Sequence, residues 1–66
     1  MKKYKVYDLY DGKLVLGYAD TMKEVKKLAR EQCRECDGEC LIYYAELNEE
    51  TNKYKFSSAK LLEALY

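Results

Sequence analysis

The chain has 66 residues and a mass of 7.8 kDa, enough for one domain spanning residues 1–66 and for one small core. Twelve basic residues balance twelve acidic ones, so the net charge is zero and gives no bulk attraction to nucleic acid or to an anionic membrane surface. Proline, tryptophan and histidine are absent, while tyrosine occurs eight times and phenylalanine once.

The charge is uneven along the chain. Residues 1–34 hold nine basic and five acidic residues, a net of +4, and residues 35–66 hold three and seven, a net of −4. Such a pattern suits a self-complementary contact or a charged partner, and it is equally the ordinary scatter of a small solvated surface. A core this small rarely yields more than about 3–5 kcal/mol of net stability, so a staple or a second copy would help it.

The first ten residues, MKKYKVYDLY, carry lysines but no apolar run behind them, which argues against a secretory leader. No stretch approaches the roughly 18 apolar residues of a membrane helix. We therefore expect a cytoplasmic protein with no membrane partner, in which thiols stay reduced.

Two β-prone runs flank Asp11-Gly12, the strongest short-range hairpin signal, and place strands at about 3–10 and 13–19. Asp20 or Thr21 then offers an N-cap oxygen. Glu24, three residues after Thr21, completes a capping box. The helix should run to about Cys36, with Met22, Val25, Leu28, Ala29, Gln32 and Cys33 forming its apolar stripe. Gly38 is placed to end it in a left-handed turn.

A second hairpin follows, at about 40–47 and 53–57, around NEETN. Ser57 or Ser58 would cap a last helix, AKLLEALY, in which Ala59, Leu62 and Tyr66 lie beside Leu61 and Leu65. A helix that short needs a surface to dock on. The element order is ββαββα. It implies a two-layer α+β domain with one antiparallel sheet of about four strands, packed by a central helix and a short C-terminal helix. The alternative is a three-stranded sheet with KYKF in a loop.

Cys33, Cys36 and Cys40 fall within eight residues, CRECDGEC. Their sulfurs could converge on zinc, as in a zinc-stabilised adaptor. Zinc takes four ligands, however, and no histidine or fourth cysteine is present. Free cysteine commonly packs as a small hydrophobe, and Cys33 continues the helix stripe. An odd count argues against a closed disulfide framework. CREC has a redox-motif form, but it sits at a helix C-terminus, where the dipole raises a thiol pKa. No cofactor is expected.

Tyr4, Tyr7, Tyr18, Tyr43, Tyr44 and Tyr54 all fall on expected strands. Side chains alternate along a strand, so Tyr4 and Tyr7 point to opposite faces, as do Tyr43 and Tyr44. Helices cover one face of a two-layer domain, and the other should then show rings to solvent. Tyrosine suits such a wet, half-apolar surface and is enriched where proteins meet. The same rings in cross-strand pairs also simply stabilise a sheet. The leading expectation is a module that binds another protein, or a second copy of itself, through this face.

The alternative is nucleic acid, stacked on sheet aromatics and held by Lys/Arg, with Lys23, Lys27, Arg30 and Arg34 along one side of the helix. Interspersed Glu24, Glu31 and Glu35, together with zero net charge, make a solvated helix face the simpler account of that stripe. No histidine base and no glycine-rich phosphate loop is present, so a nonenzymatic role is expected.

Overall fold

The computed structural model describes residues 2–62. It is a small α+β fold, with one curled antiparallel sheet and one α-helix. The first hairpin joins β1 (Tyr4–Asp8) to β2 (Leu14–Ala19), and Gly12 turns the corner at φ 98°. A bulge interrupts the pairing: Val6 lies opposite Gly17 while Tyr7 lies opposite Val15, which leaves Leu16 as the extra residue. Gly17 itself sits at φ 152° against the Leu28 side chain, in close strand–helix packing.

Helix α1 (Met22–Glu35) starts at Thr21, whose hydroxyl oxygen accepts the Glu24 N–H at 3.2 Å. Asp20 does not compete for that cap. Its carboxylate instead accepts from Lys2 Nζ at 3.0 Å and from the Lys3 N–H at 3.3 Å. The helix ends at Cys36, and Gly38, at φ 85°, donates back to the Cys33 carbonyl at 2.7 Å. Asp37 is left-handed as well, at φ 54°. Aspartate tolerates that region better than most residues.

Strand β3 (Ile42–Asn48) pairs with the free side of β1, Val6 opposite Tyr44 and Tyr7 opposite Tyr43. The order is β2-β1-β3, and two short strands share the far edge of β3. One is β4 (Lys53–Tyr54), returned by a turn in which Asn48 Oδ1 accepts the Glu50 N–H and Asn52 is left-handed at φ 61°. The other is β5 (Lys60–Leu61).

The second half departs from expectation in two ways. The return strand expected over 53–57 stops at Tyr54, and a 3-10 turn, Phe56–Ser58, takes over. The segment expected to begin a C-terminal helix is extended instead: Lys60 and Leu61 pair with Tyr44 and Tyr43, and the Leu62 N–H donates to the Ile42 carbonyl at 2.9 Å. The physical reason lies in Ser58. Its hydroxyl donates to the Lys55 carbonyl at 2.9 Å, closing the 3-10 turn rather than capping a helix. Residues 63–66, the rest of that expected helix, lie outside the described residues.

The core lies between α1 and one sheet face. Val6, Ala19, Val25 and Ala29 are fully buried, with Tyr4, Cys33 and Ile42 nearly so. Met22 and Leu28 pack against them as the stripe requires. Asp8 is the one buried charge among the described residues. It accepts from the Tyr10 N–H at 3.0 Å, the Leu41 N–H at 3.1 Å and Gln32 Nε2 at 2.9 Å. Burial pushes its carboxyl up, but these donors outweigh burial and hold it below the ordinary carboxylate value.

Candidate binding face

Strand alternation sorts the tyrosines. Tyr4 and Tyr44 point toward α1, where their rings meet edge to face, 5.8 Å between centroids. Tyr7, Tyr18, Tyr43 and Tyr54 belong to the other face. So the six tyrosines picked out as partner-binding do not form one surface: Tyr4 and Tyr44 are inner-layer residues.

The outer face is partly closed by its own edges. Tyr7 is only 1% exposed, although no helix covers it. Phe56, carried by the 3-10 turn, lays its ring 5.1 Å from that of Tyr7. Farther along, Tyr18 of β2 meets Tyr54 of β4 at 5.5 Å, although β1 and β3 lie between those strands. Only a curled sheet brings such edges together. The Tyr54 hydroxyl donates to the Lys2 carbonyl. Burial, with Tyr18 and Asp20 nearby, holds the Tyr54 phenol above its ordinary value, so it stays a donor.

Lysines fill the spaces between rings. Lys5 Nζ lies 5.5 Å from the Tyr7 ring centroid and 5.8 Å from that of Tyr18. Lys13 Nζ lies 4.2 Å from Phe56 and 5.6 Å from Tyr7. These are cation–π distances. The strand residues of this face are Lys5, Tyr7, Val15, Tyr18, Tyr43, Ala45, Leu47, Tyr54 and Leu61, with no carboxylate among them. Val15, Tyr18, Phe56 and Leu61 remain 41–48% exposed. Phe56, Val15 and Leu61 are not singled out by the sequence as parts of a site. The alternation of lysine with aromatic residues in KYKVY carried the signal for Lys5; nothing local marked Phe56.

A cleft at one end of this face is lined by Lys2, Lys5, Tyr18, Asn52, Lys53 and Tyr54. At the other end of β1, a cleft holds Asp8, Asp11, Glu35, Asp37 and Glu39. The helix stripe lies elsewhere. On α1, Lys23, Lys27 and Arg34 are exposed and Arg30 is half-buried. Lys27 lines a cleft with Tyr18, Glu24, Leu28 and Glu31, so one helix cation does come near an open-face ring, beside two carboxylates.

The cysteines also separate. Cys33 and Cys40 are joined in a disulfide, their Cα atoms 5.3 Å apart, within the normal span. This corrects the expectation of three free thiols. The turn at Asp37 and Gly38 folds Cys40 back beside the last helical turn, which the cysteine count did not reveal. Cys36 is a free, half-buried thiol, whose sulfur accepts from Gln32 Nε2 at 3.4 Å. A disulfide offers no thiolates, so Cys33, Cys36 and Cys40 cannot act together as zinc ligands in this form. Among the described residues no group of three or more histidine, cysteine or acidic side chains is arranged to hold a metal. No helix among them is long and apolar enough to cross a membrane.

No family model, no curated protein and no solved structure matches this chain.

Proposed function

We propose that this chain is a nonenzymatic binding module whose open sheet face takes an acidic segment of another protein. One observation carries the reading: the face pairs exposed Val15, Tyr18, Phe56 and Leu61 with Lys5 and Lys13, and its strands contribute no carboxylate. Aromatic rings with cations beside them suit a partner that brings both apolar groups and negative charge. A flat apolar partner would strand the lysines, and a basic one would meet like charge.

The test is a titration of the labelled protein with a peptide rich in glutamate and leucine, followed by amide NMR. Shifts should concentrate at Lys5, Lys13, Tyr18 and Phe56, and affinity should fall as salt rises. A silent face at low salt sinks the reading.

Nucleic acid is the second reading, supported by the three lysines around Tyr18 and Tyr54 in one cleft. Against it, Lys5 and Lys13 already lie over ring faces on which bases would stack. Single-stranded oligothymidine binding more tightly than the acidic peptide at equal salt would reverse the order.

A further inference from the structure

The outer edge of β2 has no partner strand among the described residues. Its six residues, LVLGYA, contain no charge and no proline, the usual guards of an edge. Leu14, Val15 and Tyr18 are 53%, 43% and 48% exposed. What guards this edge is the bulge at Leu16, which spoils it for a straight strand.

The bulge also makes the edge symmetric. Leu14, Leu16, Gly17 and Ala19 lie on the helix side of the sheet, and Val15 and Tyr18 on the open side. Read from either end, that facing pattern is the same. A regular strand paired antiparallel with itself must set like-facing residues opposite each other, which forbids a register centred between two neighbours. The bulge permits that register, with Leu16 opposite Gly17 of a second copy.

We infer that two copies of this chain join edge to edge through β2, antiparallel and centred between Leu16 and Gly17. Val15 then meets Tyr18 of the other copy on the open side, twice, as β-branched and aromatic cross-strand pairs. Lys13 falls opposite Asp20 of the other copy at both ends, so opposite charges close the joint. A foreign straight strand has neither the matching bulge nor the matching charges. The inference deepens the binding reading by naming a second copy along the β2 border of the same face, where Val15, Tyr18 and Lys13 lie, and it rests on that reading only in taking the chain to be a binding module.

Sedimentation equilibrium on the full chain tests it. The mass should rise with concentration from 7.8 kDa toward twice that value. The variants Val15→Glu/Tyr18→Glu and Val15→Lys/Tyr18→Lys should each stay monomeric, because like charges then face each other, and an equimolar mixture should recover the dimer. In the unmodified protein, hydrogen exchange of the 14–19 amides should slow with concentration, which reports on the edge without any substitution. Phe56→Ala, on the face but away from the edge, should abolish acidic-peptide binding and leave the dimer intact. A monomer at all concentrations, a dimer that survives either charged variant, a mixture that stays monomeric, or a dimer lost with Phe56→Ala overturns the edge pairing. Loss of peptide binding by the unmodified protein while it still dimerises overturns the face reading alone.

Discussion

The two faces of one sheet are closed by different means. On the inner face, α1 supplies Val25, Ala29 and Cys33, and the strands answer with Val6, Ala19 and Ile42, small or branched, beside the Tyr4 and Tyr44 rings. On the outer face no helix arrives. Curling brings Phe56 over Tyr7 and Tyr54 to Tyr18, and lysine stems fill between. Small side chains allow a helix to approach, whereas large rings with wet hydroxyls roof a face themselves and keep it approachable by a partner.

The largest effect is expected of Tyr7→Ala. If the outer face were ordinary surface, the change would cost little. Because Tyr7 is buried beneath Phe56, we expect a loss of about 3 kcal/mol, in the range for deleting a buried ring, read as a lower urea midpoint. Opening the disulfide comes next. It closes a loop with a sequence separation of 7, and the chain-entropy relation gives about 2.5 kcal/mol. Adding a reducing agent to the unmodified protein should lower the urea midpoint accordingly, while the Cys33→Ala/Cys40→Ala variant should not respond to it.

Acid gives a smaller effect. The folded Asp8 carboxyl titrates below its ordinary value of about 3.9, so at low pH the unfolded chain binds the proton first. Its contribution is complete above about pH 5 and disappears as pH falls through the depressed folded value. Asp8→Asn should flatten the acid limb of the stability profile measured by urea unfolding between about pH 2 and 6. The smallest effect on stability is expected at the exposed rim of the outer face. Tyr18→Ala, at a half-exposed ring, should change stability by less than about 1 kcal/mol yet remove peptide binding, since Tyr18 serves the partner more than the fold.

Legibility in the sequence followed the range of the interactions. The hairpin at Gly12, the Thr21 cap, the helix stripe and the Gly38 turn are local, and each was readable from a few neighbouring residues. The Ser58 turn was local too, but serine caps helices and closes turns with the same hydroxyl, and the apolar residues after it fit a strand as well as a helix. The disulfide needed two facts the spacing did not contain: how far the turn at Asp37 doubles back, and which of three sulfurs it favours. For the face, alternation placed Tyr4 and Tyr7 on opposite sides correctly, but not which side α1 takes. Curl was invisible, because it joins β2 to β4 across two intervening strands.

Asp8 has a kinetic consequence. Its three donors come from the turn just after it, from a helix residue 24 positions on, and from Leu41, 33 positions on. Until β3 docks, that carboxylate remains hydrated, and the nascent hairpin and helix have no anchored third strand. Arrival of the distant segment should therefore limit the rate of folding, with substitutions at Ile42 slowing it more than those in the Gly12 turn.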